Sequence, residues 1–578
     1  MLLSDALSRV RSFARRFILV TTVAISVVCG VLAVAFHRYL ELTRSLLIEP
    51  ALDREGVLGI VLVVLTPAFV FVLLALAIRR FAPRAVGANL ARVRMAYNGE
   101  PTLIGPRSVA ATFIATPISL GAGAPLGPEG PIVVVTSGFG AAASRWLGLP
   151  PKLVRGMIPV GVAAGISAVF NAPMTGVVFA LEEIFGEANR GLLGGVLVGA
   201  VAAAVVERGL LGGTPILSAP FSTWHDAREL LGFAVVGVVA GISTGLAIAA
   251  AHRLKRWWAA RMPSMVMRAG AAGLLIGALG LIAPSILGVG YDSMSFWLHG
   301  GGTATQTGIA FGLKIIAFVL AISSGVLGGS FAPSLFIGTA LGAAIGHTAR
   351  DLFPAAGIDP KAYAIVGMGS AFAGMLRSPI AAVVIVVELT RDYELMVPVM
   401  LGVSLAVSIS RRISRLSVVE QQMIDEGYVE GGEASDPLAH VTAADAMTAA
   451  PTTIPAEAPI AEANRTIGAR RHRYYPVVDS EMRLLGVLTR DAIDAALAAG
   501  EGSRAARELM EQPRLVATSD EPVLEVVKRM QMHGADRCPV VDAGSSRCIV
   551  GFISPSDILR TRMRYSGSDE GEAFAFFE

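Results

Sequence analysis

One acidic residue lies in a setting that suits the binding of an anion. Glu129 stands within GPEGP (Gly127–Pro131), where glycines and prolines interrupt an apolar region. This segment is predicted to place Glu129 in the first turn of a helix, where free N–H groups and the helix dipole attract negative charge. An ionised Glu129 would compete with a bound anion, and a protonated one would swing away. A glutamate that only caps a surface turn is the alternative.

The segment around Glu129 has a second copy later in the chain. GAPLGPEGP (123–131) aligns with GVLGGSFAP (325–333) at an offset of 202, and AVFNAPMTGVVFALEE (168–183) aligns with GMLRSPIAAVVIVVEL (374–389) at an offset of 206. Duplicated, interrupted membrane segments are typical of transporters with an ion site near the bilayer midplane. In the second copy Phe331 stands opposite Glu129, and the backbone N–H groups of GSFAP (329–333) are predicted to face the same ion from the other side. Ordinary packing is the alternative for Phe331.

The composition places these segments in a lipid bilayer. The chain has 578 residues, of which 53% are hydrophobic and only 16% charged, whereas soluble proteins carry about a quarter. The apolar run 17–36 is interpreted as an uncleaved first span, and many shorter apolar stretches follow it up to residue 410. Several are too short to cross a bilayer alone. They favour an all-α bundle of short, tilted and re-entrant helices.

The charged residues and the cysteines indicate the membrane topology and argue against a nucleic-acid-binding protein, a metalloprotein and an enzyme. Basic clusters before residue 17 and at 411–415 predict that both termini are cytoplasmic, in a plasma or inner membrane. A net charge of +3 gives no reason to expect nucleic acid. The three cysteines lack metal-ligand spacing. No nucleophile–base or metal constellation stands out, so an enzyme is disfavoured.

The chain divides into a membrane domain and a polar tail with its own repeat. YPVVDSEMRLLGVLTRDAID (475–494) resembles CPVVDAGSSRCIVGFISPSDIL (538–559), and each copy predicts strand, turn, strand and helix. The predicted parts are an N-terminal segment (1–16), a transmembrane domain (17–415) with halves 17–210 and 228–415, a linker (416–437), two α+β units (438–499 and 505–565) and a short tail (566–578).

Three motifs in order carry a resemblance to a known family. GPEGP, AAGISAVFNAPMTGVVFALEE and GGSFAP resemble the CLC family of chloride channels and chloride/proton exchangers, and the tail resembles a tandem pair of CBS domains. The resemblance implies a homodimer with one pore per subunit, built from inverted repeats of short helices, and Glu129 as the gating residue. The chloride-binding groups that it implies are Gly127, Pro128, Gly130, Ser330, Phe331 and Ala332.

The resemblance also identifies one further acid and two departures. Glu183 matches the glutamate through which exchangers pass protons, and the alternative is an acid that finishes a helix. Val86 and Val419 align with the serine and tyrosine whose hydroxyls contact the anion in the family. Two side-chain donors are therefore missing, which predicts weaker anion binding and looser proton coupling.

The predicted function is transport of chloride across the membrane, channel-like or loosely coupled to protons. Strictly coupled chloride/proton antiport through Glu183 is the alternative, and a CBS-gated metal-ion transporter is a remote one. No cofactor is required. An adenine nucleotide is a candidate ligand of the tail, at one site rather than two, through Ser554 and Asp557 of the second repeat or Thr489 of the first. A cap of its own helix is the equal alternative for Asp557.

Overall fold

A computed structural model describes residues 2–82, 89–99, 101–185, 190–212, 217, 219, 224, 227–426, 438, 441–468, 473–544 and 547–565. The chain forms two compact units, within residues 1–428 and 429–572. Val86, residues 427–437 of the predicted linker and the tail 566–578 lie outside the described residues. The start of the predicted linker is helical and belongs to the first unit.

Apart from its loops and one isolated bridge, the described residues of the first unit form helices. Its α-helices are α1 (Leu2–Leu47), α2 (Glu49–Leu52), α3 (Gly56–Phe81), α4 (Leu90–Asn98), α5 (Pro106–Gly121), α6 (Glu129–Trp146), α7 (Pro151–Phe170), α8 (Pro173–Ala180), α9 (Arg190–Leu211), α10 (Glu229–Arg261), α11 (Met265–Ile282), α12 (Tyr291–Leu298), α13 (Ala304–Ser324), α14 (Phe331–Leu352), α15 (Pro360–Leu376), α16 (Pro379–Thr390), α17 (Met396–Ile413) and α18 (Val418–Asp425). Short 3₁₀ turns occupy Pro101–Ile104, Pro284–Ile286 and Pro354–Ala356, and a π-helical turn spans Leu181–Phe185.

The helix boundaries reproduce the repeat that the sequence predicts. Helices α6 and α14 begin 202 residues apart, and α8 and α16 begin 206 residues apart. The two preceding helices end alike, since Asn171 after α7 and Arg377 after α15 both have left-handed backbone (φ 51° and 68°). In each half a long buried helix therefore reverses sharply into a short helix that starts with proline.

Glycines let the central helices approach one another closely. A Cβ on Gly338 of α14 would lie 2.1 Å from the backbone oxygen of Gly367 on α15. In the other half, a Cβ on Gly161 of α7 would lie 2.6 Å from the Cα of Ser137 on α6. Larger residues at these crossings would separate the helices, so the small residues fix where α6 and α14 lie.

The outer surface of the first unit suits hydrocarbon. Among the described residues, eight helices are long and apolar enough to cross a membrane. Large apolar side chains remain exposed on them, including Val57 (77%) and Phe69 (66%) on α3, which is expected where lipid replaces water. The predicted first span 17–36 is part of the longer helix α1. This unit is an integral, multi-pass membrane domain.

The second unit contains two small α/β halves, as predicted from its repeat. Its elements are α19 (Ala443–Ala446), β1 (Thr448–Ala449), β2 (Ile454–Pro455), α20 (Ile460–Ile467), β3 (Tyr474–Val478), β4 (Leu484–Thr489), α21 (Arg490–Ala498), α22 (Ala506–Leu509), β5 (Ala517–Thr518), α23 (Val523–Met532), β6 (Cys538–Val541), β7 (Ile549–Ile553) and α24 (Pro555–Tyr565). The sheet orders are β2-β3-β4 and β1-β7-β6-β5. Strand β1 pairs antiparallel with β7, so the start of the first half completes the sheet of the second. The fold class is confirmed: a polytopic helical domain followed by an α+β pair.

Candidate functional site

The two repeated loops meet at the centre of the membrane domain. The N–H of Gly127 donates to the carbonyl of Gly329 at 2.8 Å, and the N–H of Gly329 donates to the carbonyl of Gly127 at 2.7 Å. This antiparallel bridge joins the residues that precede α6 and α14. The positive ends of two helices from different halves are thereby held next to each other.

Glu129 lies between these two helix starts. Its side chain is fully buried. One carboxylate oxygen accepts a hydrogen bond from the Tyr291 hydroxyl, and the other accepts from the backbone N–H of Ala332 at 3.3 Å. The carboxylate of α6 thus occupies an anion-binding position at the start of α14.

Two of the residues predicted to bind chloride have no free N–H group in this arrangement. The N–H of Gly127 is used in the bridge to Gly329, and Pro128 has no amide hydrogen. Gly127 is needed for space instead, because a Cβ there would lie 2.2 Å from Oε2 of Glu129. The N–H of Gly127 thus joins the two loops, which the sequence could not reveal, and a contact of Gly127 and Pro128 with chloride remains a prediction.

A small central cavity lies beside Glu129. It has a volume of about 20 Å³, enough for one water-sized species. The cavity is lined in part by Glu129, Gly130, Ser330, Phe331 and Val419. Val419 is almost fully buried, with 1% of its surface exposed, so an apolar side chain stands in the cavity wall at this position.

Phe331 serves packing and cavity lining together. Its ring lies 4.4 Å from that of Phe372, 5.0 Å from that of Phe170 and 5.5 Å from that of Phe179, between ring centroids. Aromatic pairs at such distances stabilise a core beyond the area that they bury. The aromatic cluster therefore holds the start of α14 in place while Phe331 forms part of the cavity wall.

Two larger cavities flank the central one. The first, called the α18 cavity, has about 390 Å³ and is lined partly by α18; it shares Asn89, Gly328 and Gln422 with the central cavity. The second, called the Tyr291 cavity, has about 400 Å³ and reaches Tyr291. Since the Tyr291 hydroxyl touches Glu129, the order of the cavities is α18 cavity, central cavity, Tyr291 cavity. The buried acid lies between the central cavity and the Tyr291 cavity.

Tyr291 and its support were not identified from the sequence. Tyr291 begins α12 directly after Gly290, which has φ 90°. Lys314 of α13 is fully buried and donates to the carbonyls of Ile286 at 2.9 Å and Gly288 at 2.7 Å, in the loop before Tyr291. A lone lysine within an apolar helix was the available signal, because a buried cation needs specific acceptors.

Glu182 and Glu388 cap each other's helices across the repeat. Glu182 accepts from the backbone N–H groups of Ile380 at 3.2 Å and Ala381 at 2.8 Å, at the start of α16. Glu388 of α16 accepts from the backbone N–H of Thr175 at 2.7 Å, at the start of α8. This reciprocity explains why both copies carry an acid at this position.

Glu183 is placed differently from its neighbour Glu182. It lies in the π-helical turn, is 4% exposed, and accepts a hydrogen bond from the hydroxyl of Ser378. Single π turns inside helices occur often at functional sites. The structure thus separates a capping acid from a buried acid, and the role of Glu183 in proton transfer remains a prediction.

The residues predicted to hold a nucleotide act as helix caps in the tail. The Asp557 carboxylate accepts from the backbone N–H of Ser554 at 2.9 Å, its hydroxyl at 2.5 Å and the Thr448 hydroxyl at 2.9 Å. The Thr489 hydroxyl accepts from the N–H of Ala492 at 3.2 Å. The capping alternative for Asp557 therefore has direct contacts in its favour, and nucleotide binding remains a prediction.

Fold and site together define a class of protein: a multi-pass membrane protein with duplicated helix starts that face each other across a buried acid. The chain matches the family model for the voltage gated chloride channel at residues 68–411 and that for the CBS domain at residues 443–499 and 506–564. The chain belongs to the voltage gated chloride channel family and carries a pair of CBS domains.

Known relatives agree with this assignment. The H(+)/Cl(−) exchange transporter ClcA of Citrobacter koseri is 28% identical over 66% of this chain and 83% of the relative. ClcA of Salmonella typhi is 30% identical over 56% of this chain and 70% of the relative. The crystal structure of a eukaryotic CLC transporter superposes with a TM-score of 0.64 at 19% identity, covering 95% of this chain and 98% of that one. At 19% identity, the similarity to this crystal structure shows a shared fold.

Proposed function

We propose that this protein moves chloride across a membrane and that Glu129 is its gate. One observation carries the proposal: the fully buried Glu129 carboxylate lies at the start of α6 and accepts a hydrogen bond from Ala332 at the start of α14. A halide would meet the same N–H groups, so ion and carboxylate compete for one place. Protonation removes the charge of the carboxylate and releases it from that place.

The test is chloride flux through the Glu129→Gln variant in liposomes at a series of pH values. The neutral amide cannot compete as an anion, so flux is expected to persist while its pH dependence flattens. Glu394→Gln, a change outside the three cavities, serves as the matched control. A pH profile that is identical in wild type and Glu129→Gln would rule out Glu129 as the gate.

The movement is proposed to be channel-like or only loosely coupled to protons. Val419 gives the central cavity an apolar wall, and fewer side-chain donors hold an ion less tightly. Strict chloride/proton antiport through Glu183 is the second candidate, favoured by the burial of Glu183 and by relatives named as exchangers. Reversal potentials under a pH gradient distinguish the two, since a channel ignores the proton gradient.

The assembly and its regulation complete the proposal. We expect a homodimer with one pore per subunit in a plasma or inner membrane, with both termini and the CBS pair in the cytoplasm. The CBS pair is expected to regulate transport by binding an adenine nucleotide. Calorimetric titration of the full-length protein with ATP, ADP and AMP tests this, and the absence of heat for all three would contradict it.

A further inference from the structure

Two carboxamide side chains stand at the junction of the central cavity and the α18 cavity. Asn89 and Gln422 line both cavities. Asn89 comes three residues after Val86, and Gln422 comes three residues after Val419. Both valines align with residues whose hydroxyls contact the anion in the family. Positions three apart share one face of a helix, so Gln422 lies one turn along α18 from Val419, and both line the central cavity.

The orientation of the Asn89 amide is fixed by its second role. Asn89 is the N-cap of α4, and its Oδ1 accepts from the backbone N–H of Arg92 at 3.4 Å. Only the oxygen of a carboxamide can accept. The NH₂ group of Asn89 is therefore the part left for another partner, and it has none among the described residues.

The α18 cavity carries an excess of positive charge. Arg92 pairs with Glu426 at 2.7 Å, and Lys255 pairs with Asp425 at 2.7 Å. Arg268 also lines this cavity and has no acidic partner among the described residues. A cavity with unbalanced positive charge concentrates anions, and it opens onto the two amides.

We propose that the NH₂ groups of Asn89 and Gln422 donate hydrogen bonds to the anion as it passes between the α18 cavity and the central cavity. The two amides take over, three residues further along the chain, the donor role of the hydroxyls lost at Val86 and Val419. This inference rests on the proposed chloride transport and adds the side chains that set anion affinity. Their NH₂ groups do not titrate, so this part of the binding is independent of pH.

The decisive variant is Gln422→Met, which keeps the length of the side chain and removes its donor. Gln421→Met is the matched control, because Gln421 lines only the α18 cavity and bonds to Asp425 at 3.2 Å. Asn89→Asp tests the second amide, since aspartate keeps the oxygen that caps α4. Circular dichroism and gel filtration establish that each variant folds.

Chloride is titrated calorimetrically into each full-length protein in chloride-free detergent buffer, and flux is measured in liposomes. Gln422→Met is expected to weaken chloride binding about tenfold or more, since a hydrogen bond to a charged group is lost. Asn89→Asp is expected to abolish binding, and Gln421→Met to leave it unchanged.

The other outcomes separate the two proposals. If wild type binds chloride and both Gln422→Met and Asn89→Asp bind it equally well, the amide role is overturned and chloride transport stands. The amide role also fails if Gln421→Met weakens binding as much as Gln422→Met. If wild type shows neither heat nor flux, both proposals fall.

Discussion

Replacing Tyr291 by phenylalanine removes one hydroxyl and little else. The ring is retained, while the hydrogen bond from the hydroxyl to Glu129 is lost. The carboxylate then keeps backbone partners, including the N–H of Ala332 at 3.3 Å. Tyr291→Phe therefore weakens the hold on the carboxylate in its blocking position without disturbing the two helix starts.

The size of the effect follows from the nature of the bond. A hydrogen bond to a charged group contributes about 1.5–3 kcal/mol, which corresponds to a ten- to hundredfold change in an equilibrium. The balance between a blocking and a displaced Glu129 should shift by about that factor. Chloride then competes more easily, so its apparent affinity and its flux at neutral pH should both rise.

Chloride efflux from liposomes and calorimetric titration measure the two quantities. Tyr393→Phe is the control, because Tyr393 is 74% exposed in the same domain. In a Glu129→Gln background the effect of Tyr291→Phe on chloride affinity and flux should become small, since the charged acceptor is gone. Unchanged affinity, or an equal effect in both backgrounds, would refute the idea that the hydroxyl holds the gate.

Two further perturbations test the support of the site and the packing of the tail. Lys314→Met leaves the carbonyls of Ile286 and Gly288 unpaired; at about 1–3 kcal/mol each, the melting temperature in detergent should fall by several degrees, and an unchanged value would contradict this role. Burial raises the pKa of the Cys538 thiol to about 12, so the thiol stays protonated at pH 7.5. A maleimide should therefore label the partly exposed Cys548 first, which mass spectrometry of the folded protein measures, and early labelling of Cys538 would oppose it.

Much of the fold could be predicted because its signals are local or repeated. The helix starts at Glu129 and Phe331 follow from glycine and proline placement, which acts within a few residues. The duplicated segments predict that the two halves of the membrane domain share one pattern of helices. Hydrophobic content alone assigned the membrane domain, and the internal repeat at 475–494 and 538–559 predicted the two α+β units of the tail.

Other features could not be predicted because they depend on residues far apart in the chain. The bridge that engages the N–H of Gly127 joins residues 202 apart, and no local pattern encodes such a pairing. The reciprocal capping by Glu182 and Glu388 needs two helices from different halves to meet. The alignment of the two repeats identified these acids but not the backbone N–H groups that donate to them.

The sequence by itself determined a duplicated, broken-helix membrane domain with one acid at a helix start, because backbone breaks and apolar runs act locally. Only the tertiary structure decided what that acid touches. Tyr291 reaches Glu129 because Lys314, on another helix, fixes the loop that carries it. Hydrogen bonds form between groups brought together by packing, and packing is a property of the whole chain.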